Sequence, residues 1–257
     1  MTKERPNLEA LKNSVLEARG YWHPFHEGLL QLDPAYLRAY LEFQDAPARS
    51  GILPPKVREF VYIAADGAVS HLYVPGLARH IEMALEKGAS SGEVMEVIQL
   101  TMLTTFDSFE AGMDALALEL AARGHTEVAA TDSELRARHE QTVGYWPAFA
   151  DQLARHAPHL LEPLLAYETL PYSSGHLEPK VREFVRIAVH ASPVGPQPIP
   201  LRRAVGRALD AGATATEISE VLQLTSAIAV HTCTFAIPAL HAAVTAQQLA
   251  EAAAPTD

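Results

Sequence analysis

The sequence predicts an all-α protein made of two tandem copies of one helical domain. Three observations predict it. The same motifs recur at a constant spacing of 124 residues, apolar residues fall at helical period, and strand signals are scarce. Gly20-Tyr21-Trp22 returns as Gly144-Tyr145-Trp146, and Gly88-Ala89 as Gly212-Ala213. From 55 to 64 and from 179 to 188, nine of ten positions are identical, around Pro55-Lys56-Val57-Arg58-Glu59-Phe60-Val61 and its repeat Pro179 to Val185. Glu96-Val97-Ile98-Gln99-Leu100-Thr101 returns as Glu220-Val221-Leu222-Gln223-Leu224-Thr225. No net insertion separates these blocks. The expected division is 1–124 and 125–257, with a join near 122–135, and the copies are expected to pair about a pseudo-twofold axis.

The helices follow in order. Val57, Phe60, Val61 and Ala64 make one stripe, and Leu77, Ile81, Ala84 and Leu85 a second, which Gly88 ends as a left-handed stop. Ser90-Ser91-Gly92-Glu93 reads as a capping box for a third helix carrying Val94, Val97, Ile98 and Thr101. The second copy repeats the stop at Gly212 and the start at Thr214-Ala215-Thr216-Glu217. Pro193, Pro196, Pro198 and Pro200 are expected in a loop, because proline breaks helix interiors, and 69–76 is expected to be a helix connection as well. The alanine-rich C-terminus reads as a fraying helix end. Tyr21-Trp22 and Tyr145-Trp146 read as core or interface aromatics.

Composition narrows the partners. A net charge of −11 without a basic cluster argues against nucleic acid and against an anionic membrane surface. Met1 to Pro6 is polar with no apolar segment behind it, and no apolar stretch is expected to reach the ~18–20 residues that span a bilayer. Cys233 stands alone, which excludes an intrachain disulfide and a CxxC pair. A reducing cytoplasm is the expected location.

The block from Lys56 to Leu100 resembles the carboxymuconolactone decarboxylase family, within the alkylhydroperoxidase-D-like superfamily. The residues that carry the likeness are Lys56 to Val61, His80-Ile81, Ala84-Leu85, Gly88-Ala89 and Glu93. The second copy has the same pattern with Ala204 in place of the histidine. The resemblance implies an all-α fold and a homo-oligomer, with trimers frequent among tandem members. The redox branch of the superfamily sets a CxxC pair beside a glutamate and a histidine. This chain has Glu59 and His80 but no second thiol to resolve a sulfenic acid, so the decarboxylase branch is the expectation.

A narrower likeness concerns the site. Some single-copy members resemble this chain in a His-Leu-Tyr…Gly…His segment and a late His-Thr-Cys segment. The first copy keeps His71-Leu72-Tyr73, Gly76 and His80, and the second keeps His231-Thr232-Cys233. Their counterparts at the repeat spacing are Gly195, Gln197, Ala204, Asp107 and Phe109. Were each site built within one copy, both would be half lost and the protein would be a non-catalytic ligand-binding or assembly scaffold. Built across the copies, one site keeps everything. We favour the composite site.

The chemistry implied is decarboxylation or isomerisation of a small carboxylated lactone or related acid. Histidine suits the acid–base step because its ordinary pKa lies near neutrality. His80, His71, Glu59 and His231 are the catalytic candidates, with Glu59 orienting a histidine. Tyr73, Cys233 and Glu183 are candidates for holding substrate. The bland alternatives are a solvated or arginine-paired face for Glu59 and Glu183, a satisfied core histidine for His80, and a small buried core residue for Cys233. His190, seven residues after Glu183, shares its helix face and is a weaker candidate for a second site. No cofactor is expected. A metal is not expected either, since no HxxxH or HExxH spacing occurs and the pair His71/His80 would need a third ligand such as His231.

Overall fold

Caps, first-turn prolines and glycine stops divide the chain into helices. The computed structural model describes residues 7–125, 133–192 and 197–253. Pro193, Gly195, Pro196, Met1 to Pro6 and part of the expected join lie outside the described residues. The first half runs α1 (Leu8–Arg19), α2 (Pro24–Leu32), α3 (Pro34–Ser50), α4 (Pro55–Gly67), α5 (Val74–Glu86), α6 (Ser91–Met102) and α7 (Thr105–Ala122). The second runs α8 (Ser133–Val143), α9 (Ala148–His156), α10 (Pro158–Ser174), α11 (Pro179–His190), α12 (Pro198–Asp210), α13 (Ala215–Ala227), a 3₁₀ turn (Ile228–Val230) and α14 (His231–Ala253). Among the described residues there is no strand. The fold is all-α, and α2 to α6 recur as α9 to α13 at the 124-residue spacing.

The expected signals act as local chemistry requires. Ser90 accepts from the Glu93 backbone N–H at 3.1 Å while Glu93 accepts from that of Ser90 at 2.7 Å; Thr214 and Glu217 repeat the box. Gly88 and Gly212 hold φ of +84° and +85°, a left-handed conformation that Cβ disfavours. Two expectations change. Pro198 and Pro200 are not in a loop but in the first turn of α12, where the missing N–H has no intrahelical acceptor to lose. Leu85, expected on a buried stripe, is exposed, because the stripe's buried centre is Ala84.

The cores do not follow the sequence repeat. One central core takes α4, α5, α6, α11, α12 and α13 together. A second joins α1, α2 and α3 to Cys233 and Ile237 of α14. A third joins α8, α9 and α10 to Phe109 and Met113 of α7. Each half therefore lends its last helix to the other. Gly28 of α2 lies so close to Ile237 that a Cβ there would stand 2.5 Å from its methyl group.

The repeated glutamates fasten the exchange. Glu96, fully buried, accepts from Ser174 Oγ, from the backbone N–H groups of His176 (2.9 Å) and Leu177 (3.2 Å), and from Arg182 at 2.6 Å. Glu220 does the same for the first half, accepting from Ser50 Oγ at 2.6 Å and the Leu53 N–H at 3.3 Å.

The run Ala215–Ala253, comprising α13, the turn and α14, is long and apolar enough by length and composition to cross a membrane, with an 18-residue window whose mean hydropathy is 1.5. This corrects the expectation that no stretch reaches that length; Thr and His residues interrupt the window without lowering its mean enough. Six of the residues in α13 are buried. Phe235, Leu240 and Leu249 of α14 are exposed.

Candidate functional site

A cavity of about 570 Å³ opens between the halves. Its walls come from α2 and its approach (Tyr21, His23, Phe25), α3 (Tyr40, Gln44), α4 (Arg58, Glu59, Tyr62) and α5 with its entrance (Tyr73, Gly76, Arg79, His80, Lys87). Leu224, Ala227, Ile228, Val230, His231 and Thr234 close it from the other half. Three cationic side chains and three histidines face two carboxylates, Asp45 and Glu59. In a chain of net charge −11, this is a local reversal of sign.

Glu59 is not on a solvated face. It is buried on α4 and makes two ion pairs, to His80 Nδ1 at 2.7 Å and to Lys87 Nζ. Burial pushes its carboxyl up, but the bonds and charges of His80 and Lys87 outweigh that and hold it below the ordinary range. The His80 ring, part-buried on α5, stacks on Tyr62 with centroids 4.4 Å apart. Its Nδ1 is taken by Glu59, which leaves Nε2 as the nitrogen available to the cavity.

The second cluster spans the halves. His71 Nε2 and His231 Nδ1 share a hydrogen bond at 2.8 Å, and the rings stack. Tyr73 lies on His231 with centroids 3.8 Å apart and donates to Thr234 Oγ1 at 3.3 Å. The turn that delivers His71 holds Leu72 at φ +39°, a left-handed conformation for a branched residue, which stores about 1–3 kcal/mol of strain. Burial, then the nearby charges of His71 and His80, lower His231 to about 4. Burial lowers His71 as well.

Of the candidates named from sequence, Glu59, His80, Tyr73 and His231 line the cavity, and His71 sits behind His231. Cys233 does not line it; the thiol packs against the α1–α3 core. Glu183 does not line it either. It is buried on α11 and takes the arginine-paired reading, with Arg207 at 3.2 Å and Arg186 at 3.9 Å. His190, also buried, lies 3.4 Å from Asp107, away from the cavity.

Sequence reasoning missed Asp66, Tyr62, Lys87 and Arg79. Asp66, fully buried at the end of α4, lies 3.8 Å from His231 Nδ1 and 4.0 Å from His71 Nε2, and burial raises it to about 7. Together these three residues offer ligand atoms within 4.8 Å of one another. The signal was in the repeat: the counterpart of Asp66 is His190, as that of His231 is Asp107.

The equivalent place in the other half is nearly filled. A cleft of about 10 Å³ is lined by Leu103, Phe106, Asp107, Glu110, Tyr145, Pro147, Phe149, Glu168, Arg186 and Arg203. Every one of these is the counterpart, at the 124-residue spacing, of a residue lining the large cavity. Ala227 has become Leu103, Val230 Phe106 and Tyr62 Arg186.

The carboxymuconolactone decarboxylase family model matches residues 34–118, which hold α3 to α6 and most of α7. The chain is also similar to a solved structure from Burkholderia xenovorans, provisionally described as a gamma-carboxymuconolactone decarboxylase subunit. The two are 32% identical, the match covers 94% of this chain and 99% of that one, and the TM-score is 0.86. None of the curated proteins matches the chain.

Proposed function

The chain belongs to the carboxymuconolactone decarboxylase family, and from that premise we propose that it is a decarboxylase-like enzyme acting on a small carboxylated lactone or related acid, at one composite site per chain. The observation that carries this reading is the Glu59–His80 pair facing a cavity whose opposite wall, with His231, comes from the other half.

The chemistry asks little of the protein. In decarboxylation the bond to the carboxylate carbon breaks, and its electron pair passes through the conjugated system to the lactone carbonyl oxygen. A carbon of that system is then protonated as carbon dioxide leaves. His80 Nε2 supplies the proton, and Glu59 fixes the ring through Nδ1. Arg79 and Lys87 attract and hold the substrate carboxylate, a task suited to cations at a cavity wall. Tyr73 and His231 line the same cavity and are the proposed donors to a developing enolate oxygen, Tyr73 by turning its hydroxyl away from Thr234. His231 is neutral at pH 7 because its pKa is depressed to about 4, and a neutral imidazole still donates from one nitrogen. The assembled form we propose is a homo-oligomer, in keeping with the Burkholderia protein being described as a subunit.

The test is steady-state turnover of a panel of muconolactone-type acids by the parent, His80→Ala and His231→Ala. Loss in both variants is expected. Turnover unchanged in both sinks the composite site, and binding without turnover in the parent favours a ligand-binding protein that kept the fold.

A further inference from the structure

We propose that Asp66, His71 and His231 form a binding site for one divalent transition-metal ion of zinc-like size, set in the wall between the halves. Asp66 is fully buried, and neither of its carboxylate oxygens has a hydrogen-bond partner in the protein. A buried carboxylate left so is costly, and such groups are normally paired or bound to metal. Gly76 keeps the place open, since a Cβ there would stand 2.1 Å from Asp66 Oδ2.

The geometry suits an ion. The donor atoms Asp66 Oδ1, His71 Nε2 and His231 Nδ1 stand 2.8, 3.8 and 4.0 Å apart. The point equidistant from all three lies about 2.1 Å from each, which is the bond length that zinc takes to histidine nitrogen and carboxylate oxygen, about 2.0–2.2 Å. The short side is the ring-to-ring hydrogen bond. An ion would take the place of the proton held between those two nitrogens, and each ring would carry its proton on its outer nitrogen. Binding takes both imidazoles neutral and the carboxyl ionised, the states in which each offers a lone pair to the ion. Two nitrogens and one oxygen suit zinc and its first-row neighbours better than calcium or magnesium. The set is incomplete at three ligands, and His231 borders the cavity, so a further position would face it.

The ion-binding claim stands without the decarboxylase reading. That the ion would polarise a substrate oxygen rests on that reading. The ligand set differs from the pairing of His71 with His80 that the sequence suggested, because His80 is committed to Glu59.

The test is equilibrium dialysis of the chelator-stripped full-length protein against zinc and cobalt(II), with the cobalt absorption spectrum recorded. One ion per chain is expected, with ligand-field bands of a low-coordinate nitrogen/oxygen site. Asp66→Asn, which is nearly isosteric, and His71→Ala should each weaken binding by more than about tenfold, since even outer-shell changes cost that much. His80→Ala should leave binding unchanged. No stoichiometric binding, or binding equal in Asp66→Asn, His71→Ala and parent, overturns the site. Loss of binding in His80→Ala as well overturns this ligand set. Because binding is read without substrate, it can succeed or fail independently of turnover.

Discussion

The two clefts of this molecule occupy equivalent places and have opposite fates. One is open, about 570 Å³, and lined by Tyr62, Gln44, Ala227, Val230 and Thr234. The other, about 10 Å³, carries Arg186, Glu168, Leu103, Phe106 and Glu110 at those positions. Leucine and phenylalanine fill the space, and each polar change finds a partner. Arg186, buried, donates to the Tyr172 hydroxyl, and Glu168 takes bonds from His139 (3.2 Å) and Tyr145. Arg203 reaches Glu110 at 3.3 Å, where its counterpart Arg79 faces the open cavity. Even the pair at the cleft floor is inverted. Asp66 faces His231 in one half and His190 faces Asp107 in the other, with burial driving His190 down to about 3 and Asp107 up to about 6. Only one of the two equivalent clefts is open, and the other is packed.

That contrast can be broken from either side. The largest expected effect is on turnover. His80→Ala should lower kcat/KM by about 10²–10⁴-fold, the usual contribution of a general acid. Restoring the missing histidine as Ala204→His should produce no second activity, because the cleft around it is filled. Turnover assays on both variants check the pair.

The next effect is on stability. Arg186→Ala removes the buried cation of the filled cleft and should cost about 3–5 kcal/mol, measured by urea unfolding, while the activity per folded molecule holds. A loss below 1 kcal/mol in that measurement would mean that the filled cleft is not a structural lock.

A third variant carries the filled cleft's residues into the open one. Ala227→Leu with Val230→Phe should lower kcat/KM by roughly 10–200-fold, as added methylenes in a pocket do, with little change in unfolding midpoint. If activity persists, the substrate lies elsewhere.

The smallest effect is on pH dependence. Asp66, raised to about 7, gives stability that is present below its ordinary 3.8 and lost as pH rises through 7. His231, lowered to about 4, costs stability as pH falls from 6.5 toward 4. In chelator, Asp66→Asn should therefore be more stable than the parent at pH 8, and the gap should close toward pH 4. Denaturant titrations across that range check it.

Much of this was legible in the sequence. The caps at Ser90 and Thr214, the stops at Gly88 and Gly212, and the buried face of Val57, Phe60 and Val61 are local signals. The complementary losses at His80/Ala204 and His231/Asp107 point to a site between the halves. What was not legible depends on tertiary exchange. Cys233 follows His231 by two residues, yet α14 turns it onto the α1–α3 core. Glu59 and Glu183 share one motif, but a histidine and a lysine meet the first while two arginines meet the second. Asp66 looks like a helix-end carboxylate until α14 brings His231 to it.

The central claim is one composite site per chain, and the stoichiometry of ligand binding tests it most directly. Calorimetric titration of the intact protein with a non-turned-over carboxylated lactone should give one ligand per chain, lost in His231→Ala and retained in Arg186→Ala. Two ligands per chain, or one whose affinity is indifferent to His231→Ala, would contradict the account.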